Sequence, residues 1–553
     1  MNVRIVVMAA AISGSLFAEV TPERILNANK EPQNWLTYSG GYASQRYSEL
    51  TQMTRSNVGG LQLKWVYAPR TQTKMENTPI VVDGILYTGT VNELVAMDAV
   101  TGRTYWTAQH TVDPRGVFVL PMNKGVAVSG NRVFWPTLDG HLIALDAKNG
   151  KTIWDKVIAV WQKGYQLNVA PLIVKDKIIL GPATNEEGAN CWVSAYDVAT
   201  GNELWRFNAT PSPGEPGNDT WPKDSWKHGG GSIWVTGSYD PETNLTFWGT
   251  GNPNPGWNGD PRSPGDNLYT DSVLALDADT GKLKWYYQFT PNDEFDWDSV
   301  QVPVLATIPW QGAPRKVMLW ANRNGFFYVL DRQTGKFLLG KAFVKQNWNV
   351  GFDEKGRPMK RPGFKATYEG TFIMPGVQGG TNWYSPSFSP RTGLFYIPSW
   401  QNSSGISAKV DAVWTEGERY TGSGRRPGPP PRGGMNRGGG LATGGYGKAA
   451  AFRKDEEGYG AVIAIDPQTG EKKWEYKMAD YTESGVLTTA SDLLFAGGRE
   501  GNFVALDARN GDSLWHVSLG NTVASGPMTY SVDGHQYVAV CGGMVLYVFG
   551  LPE

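Results

Sequence analysis

Cysteine is almost missing from this chain: Cys191 and Cys541 are the only two among 553 residues. A disulfide-stapled scaffold is therefore excluded, and with 350 positions between the two cysteines, spacing alone does not decide whether they pair. No Cys-x-x-Cys-His occurs, so the chain carries no c-type haem of its own. No cysteine lies beside Ala18 to take a lipid. Charge of either sign is also lacking in excess: the net value of -1 gives no electrostatic footprint for nucleic acid. Beyond the first 18 residues no stretch reaches the ~18 consecutive apolar residues of a transmembrane helix, so none is expected in the mature chain. Residues 1–18 themselves read as a signal peptide, with Arg4 as the positive start, an apolar run from Ile5 to Phe17, and Ala18 as a small residue for cleavage. Leu16 is bulky for the position two before it and leaves the cleavage point open. Export to the periplasm is the expected location.

What the sequence has in quantity is glycine (68), proline (35), tryptophan (23) and tyrosine (24), a composition of many turns around many large apolar groups. One pattern recurs. LVAMDAVTGRTYW (94–106), LIALDAKNGKTIW (142–154), VSAYDVATGNELW (193–205), VLALDADTGKLKW (273–285), VIAIDPQTGEKKW (462–474) and FVALDARNGDSLW (503–515) share Asp-x-x-Thr/Asn-Gly-x-x-x-Trp. FYVLDRQTGKFLL keeps the turn with Leu339 in place of Trp, and FSPRTGLFYIP near Pro390 keeps only the turn, for a total of eight. Alternating apolar residues make a half-buried strand. Asp-x-x-Thr-Gly then makes a tight turn, with Asp accepting backbone N–H groups and Gly taking positive φ. The next strand ends in Trp, which suits packing between neighbouring sheets. Spacings run from 41 residues (462 to 503) to 80 (193 to 273), against roughly 40–50 for a four-stranded blade. Eight copies favour radial closure over a sandwich. The chain thus reads as all-β, a single eight-bladed β-propeller over 19–553 with tryptophan-docking repeats. Trp65, in LQLKWVY, has no preceding turn and is expected on an outer strand that the N-terminus lends to the last blade. Residues 403–459 are Gly/Pro/Arg-rich and read as a mobile surface insertion.

The eight-fold repeat with its terminal Trp resembles the quinoprotein alcohol dehydrogenases of the methanol and ethanol dehydrogenase type, over essentially the whole mature chain. Non-catalytic propellers share such repeats, so the segments between repeats carry the functional signal. KHGGGSIW (227–234) is similar to the segment whose Trp lies under the cofactor, pyrroloquinoline quinone. The resemblance puts Trp234 against the quinone, with Ser232 touching it. FWGTGNPNPGW (247–257) makes Asn252 a metal ligand, and GPATNEEGANC (181–191) puts Glu186 on the metal, with Glu187 as second candidate. TPNDEFDWDSVQVPVL (290–305) places the catalytic base on Asp296. Asp298, two residues on, resembles the lanthanide-dependent branch, where an Asp adds a ligand. ANRNGFFYVLDR (321–332) places Arg323 beside the quinone oxygens. GGTNWYSP (379–386) makes Asn382 and Trp383 cofactor contacts, MENTPIVVDG (75–84) adds Glu76, and FWPTLDG (134–140) adds Thr137.

The resemblance implies hydride transfer from an alcohol to a metal-bound quinone, Asp296 taking the hydroxyl proton and Arg323 balancing the charge of the product. The metal is Ca²⁺ or a lanthanide. Glu186, Asp296 and Asp298 bring three negative charges to a hard cation, which suits a trivalent ion better. Electrons are expected to leave to a separate cytochrome c. The sequence departs from the family in three places. Phe118 and Val119 stand where the family has adjacent cysteines, Lys124 where it has Arg, and Glu483 where it has Trp. Two alternatives stay open: a non-catalytic propeller scaffold, and an enzyme using the same cofactor on sugars or aldehydes.

Overall fold

The computed structural model describes residues 19–70, 74–116, 118, 121–184, 186–424 and 458–552. The leader read over 1–18, Val119 and residues 425–457 of the insertion lie outside this set. Strands dominate, in eight sheets that form the eight-bladed propeller: seven have four antiparallel strands, and the one over 487–518 has four antiparallel strands joined in parallel by Tyr47–Ser48 of the N-terminal segment. Blades 1 to 8 span 80–109, 127–157, 172–208, 238–288, 304–342, 387–477, 487–518 and 528–550. Blade 8 has only three strands of its own and takes Gln62–Tyr67 as its fourth, with Trp65 opposite Val548. The ring is thus closed by the two ends of the chain, as Trp65 predicted.

The count of eight is right, but one of its members is reassigned. FSPRTGLFYIP does not head a blade. Its turn joins the first two strands of blade 6 (Ser387–Ser389 and Leu394–Gln401), whose outer hairpin is the 462–474 copy. Seven repeat turns serve blades 1 to 7, and blade 8 has none. A Thr-Gly turn is needed wherever two antiparallel strands are joined tightly, so it marks a hairpin without saying which one.

The geometry explains why the repeat needs each residue. Asp98 Oδ1 accepts from the backbone N–H of Val100 and Thr101 and from the Thr101 hydroxyl, at 2.8–3.0 Å. Gly102 follows with φ +72°, and a Cβ there would sit 2.7 Å from the Trp65 ring. The same contact joins Gly150 to Trp106, Gly201 to Trp154, Gly281 to Trp205, Gly335 to Trp285 and Gly511 to Trp474. Each tryptophan therefore lies flat on the turn glycine of the following blade, where any side chain would collide with it. Several indoles also donate across the seam, as Trp106 does to Ala147 O (2.9 Å) and Trp205 to Ala278 O (3.0 Å). Trp205→Ala removes one such dock, and it should cost about 3–5 kcal/mol, the usual range for a deleted buried aromatic. Denaturant unfolding beside Leu339→Ala, at the one seam where tryptophan is already replaced, checks the size.

The N-terminal segment crosses one end of the ring. Its backbone bonds to the first strands of six blades, through Gln33, Trp35, Tyr42, Ala43, Gln45 and Arg46. Tyr38 of this segment joins an apolar cluster with Trp234, Val300, Trp383 and Trp400.

Candidate active site

Loops inside blades 3, 4 and 5, carrying Glu186, Asn252 and Arg323, and the connections before and after blade 4, carrying Gly230–Ser232 and Asp296, supply the acidic half of the site. In the connection before blade 4, Gly230 and Gly231 take φ +84° and +79°. A Cβ on Gly230 would lie 2.5 Å from Asn254 Oδ1, so only glycine lets this strand approach so closely. The approach is used: Gly231 N donates to Asn252 O (3.2 Å), and Gly251 N donates to Ser232 O (2.8 Å). The Ser232 hydroxyl accepts from Thr184 N at 3.2 Å, tying in the loop that carries Glu186. Ser232 is therefore engaged with the protein as a splice between loops.

The connection after blade 4, around Asp296, is built on Asp293. Its buried carboxylate accepts from Phe295 N (3.2 Å) and Trp297 N (2.8 Å), while Phe295 and Trp297 are fully buried. This holds Asp296 at φ +59°, an uncommon conformation for a non-glycine residue and one that clusters at functional sites. Asp293 is thus a scaffold group, and Asp296 and Asp298 are the carboxylates presented to the site. Asp298 Oδ1 accepts from Asn252 N at 2.7 Å, and its Oδ2 accepts from Arg323 Nη1 at 2.9 Å. Arg323 Nη2 reaches Asp296 Oδ2 at 3.3 Å, and its Nε donates to Val377 O at 2.8 Å. One guanidinium therefore clamps both acids. Gly379 (φ +82°) makes room for it, since a Cβ there would lie 2.3 Å from Arg323 Cγ.

Burial pushes the Asp296 carboxyl well above the carboxylate range; Arg323 opposes this, and the charges of Asp298 and Glu186 add to it. Glu187 packs over Gly164. The Asn252 amide nitrogen donates to Pro253 O, leaving Oδ1 as its acceptor end. Glu186, Asn252, Asp296 and Asp298 offer oxygen donors only, the chemistry of a hard cation, but with Glu186 held by Arg419 and both Asp side chains by Arg323 the three carboxylates are not gathered within 4.8 Å of one another.

The other half is aromatic and basic. Lys124 is buried, with Nζ 3.5 Å from the Trp383 ring centre, 5.4 Å from that of Trp234 and 2.9 Å from Glu76 Oε2. Asn123, its neighbour, donates to Pro136 O (3.0 Å), which brings in Thr137. Asn382 is buried, with its amide on Gln378 O and Trp383 N. Two buried tryptophans around a buried ammonium fit a flat, anionic aromatic molecule. Gln166 and Asn168 lie alongside. Lys124 N donates to Asn168 O, and Gln166 pairs with Ala183 of the central cluster. All four of their side-chain amide atoms are buried without a protein partner, the condition of groups that await a polar ligand. No sequence signal singled these two out.

The departures from the family are resolved in part. Glu483 is paired with Lys74, which also reaches Glu76 at 3.4 Å. A charge chain Glu483–Lys74–Glu76–Lys124 thus occupies the ground of the missing Trp and Arg. Phe118 is half-buried, and Val119 lies outside the described residues. Cys191 and Cys541 are both buried and unpaired.

The Gly/Pro/Arg-rich stretch of the insertion lies outside the described residues, while the segment before it, 403–424, reaches the acidic site through its own side chains. Arg419 pairs with Glu186 Oε2 (2.6 Å), Trp414 stacks on His228 (4.0 Å), and Asn254 and Asn258 bond its backbone. Asp271, also unforeseen, is fully buried beneath this region with both carboxylate oxygens unpartnered. Burial and the charges of Asp293 and Asp298 raise its carboxyl well above the usual range.

Known proteins share both the sequence and the fold. Residues 35–341 and 355–538 match the family model described as PQQ: glucose/ethanol/alcohol dehydrogenase, β-propeller domain. The quinoprotein alcohol dehydrogenase PedH of Pseudomonas putida is 37% identical, over 98% of this chain and 91% of that protein. The quinohemoprotein alcohol dehydrogenase of Comamonas testosteroni is 38% identical, over 94% of this chain and 73% of that one. Among solved structures, a europium-containing methanol dehydrogenase superposes with a TM-score of 0.85 at 31% identity, covering 96% of this chain and all of that one. On these grounds the chain belongs to the PQQ-dependent quinoprotein alcohol dehydrogenase family.

Proposed function

We propose that this protein oxidises alcohols with pyrroloquinoline quinone and a lanthanide ion, and hands the electrons to a separate cytochrome c in the periplasm. The observation that carries the reading is the clamp of Arg323 on Asp296 and Asp298, with Asn252 bonded to Asp298. Glu186, Asn252, Asp296 and Asp298 would hold the cation. Trp234 and Trp383 would flank the quinone, with Glu76, Thr137, Ser232, Asn382 and Arg323 at its edges. When bound, the quinone supplies the hydride acceptor and the cation supplies Lewis acidity. The protein's own part is to orient and to move a proton. Asp296 takes the proton from the substrate hydroxyl, and the fixed Arg323 fork stabilises negative charge where it develops. Segment 403–424 lies over the acidic side and limits the entry of water.

A lanthanide is favoured because Asp298 adds a third carboxylate, and the europium-containing methanol dehydrogenase is a close structural match. The leader read over 1–18 supports the location, and the missing haem motif supports a separate electron acceptor. The test is reconstitution with the quinone and either La³⁺ or Ca²⁺, with dye-linked turnover read across alcohols, aldehydes and sugars. Turnover on alcohols with La³⁺ is expected, and Asp298→Ala should abolish it while leaving any Ca²⁺-supported activity. No turnover with either ion would overturn the enzymatic reading; equal La³⁺ activity in Asp298→Ala would overturn the choice of metal.

A further inference from the structure

Two of the five histidines of the chain meet on the seam between blades 1 and 2, away from the residues assigned above to the hard cation. His110 follows the outer strand of blade 1 (Thr104–Gln109), while His141 opens the third strand of blade 2 (His141–Asp146). Asp139 lies in the turn just before it. His110 Nε2 is 2.9 Å from both oxygens of Asp139, and the two imidazole rings are 5.0 Å apart. One donor atom from each of His110, Asp139 and His141 lies within 4.8 Å of the others. Asp139 is nearly buried, so its charge is not dissipated into water, while His141 is 27% exposed and gives an ion a way in.

The surroundings are those of a prepared ligand set. Asp155, on the outer strand of blade 2, is 2.8 Å from His141 Nδ1. A carboxylate that takes Nδ1–H fixes the tautomer and leaves Nε2 with its lone pair, the usual support for a metal-bound histidine. The Thr137 hydroxyl donates to Asp139 Oδ1 at 2.7 Å and fixes that carboxylate in turn. We propose that His110, Asp139 and His141 form a second metal site, selective for a divalent transition ion such as Zn²⁺, which ties blade 1 to blade 2. Two imidazoles and one carboxylate are a borderline-soft set. They suit Zn²⁺, Cu²⁺ or Ni²⁺ and not the hard cation of an all-oxygen site. A bound ion would draw the three side chains together and hold the turn of Thr137 in place. The assignment does not depend on the quinone reading.

The test is calorimetric titration of Zn²⁺ into the chelator-treated full chain, preloaded with La³⁺ so that the oxygen site is filled, with melting temperature followed in parallel. Wild-type protein is expected to take up one Zn²⁺ with a rise in melting temperature. His110→Gln and His141→Gln should lose both the uptake and the rise. Asp155→Asn, at a 40%-exposed position where misfolding is not a concern, should weaken Zn²⁺ about 10- to 100-fold while leaving the zinc-free melting temperature unchanged. Zinc uptake of wild-type stoichiometry and affinity in His141→Gln and Asp155→Asn, or no uptake by wild-type protein, would overturn the proposal.

Discussion

Asp296→Asn should lower alcohol turnover by about 10²- to 10⁴-fold, the range supplied by a positioned general base. The amide keeps the shape and the contact with Arg323 Nη2 (3.3 Å) but cannot accept the hydroxyl proton. It also removes a titratable carboxyl from a centre where burial and the charge of Asp298 already oppose its ionisation. The loop itself should survive, because it is held by Asp293 through the N–H groups of Phe295 and Trp297, and not by Asp296. Steady-state turnover of the reconstituted variant, with its melting temperature as control, reads the effect. A loss below tenfold in a fully loaded, folded variant would remove Asp296 from the role of base. Asp293→Asn is the contrasting case: it should mainly lower stability, since its carboxylate serves the backbone.

How much of this was legible in advance depends on the range of the interaction. The repeat is local, with Asp, Gly and Trp within nine positions of one another, so blades 1 to 5 and 7 can be read from the chain directly. Blade 6 was miscounted as two units because its first hairpin carries the same Thr392-Gly393 turn as a repeat. The site loops were legible through their glycines and carboxylates, whose backbone demands are also local. What could not be read are pairings across the ring. Lys74 meets Glu483 across 409 positions, and Arg419 meets Glu186 across 233. His110 and His141 come together only because adjacent blades stack. Asp271 was invisible for another reason: in the sequence it is one more polar residue before a strand, and only burial makes it unusual.

Arg323→Ala is expected to fail in two measurable ways. Catalytically it removes the fork beside the reacting centre, a loss of about 10²- to 10³-fold for one preorganised donor. Structurally it strips the counter-charge from Asp296 and Asp298, and breaking a buried pair by deleting one partner costs about 3–5 kcal/mol. Arg323→Lys should recover part of the stability but little of the turnover. A single ammonium cannot replace a fork whose Nη1 and Nη2 bond different carboxylates while Nε bonds Val377 O. Gly379→Ala should resemble the alanine variant in milder form, because its Cβ would press on Arg323 Cγ. The decisive measurement is a double-mutant cycle in the metal-free protein. If Arg323 matters to the fold by neutralising the two acids, then Arg323→Ala in an Asp296→Asn background should cost clearly less stability than in wild type. Equal costs in both backgrounds would mean that the clamp contributes nothing through Asp296, and the electrostatic account of the site would have to rest on Asp298 alone.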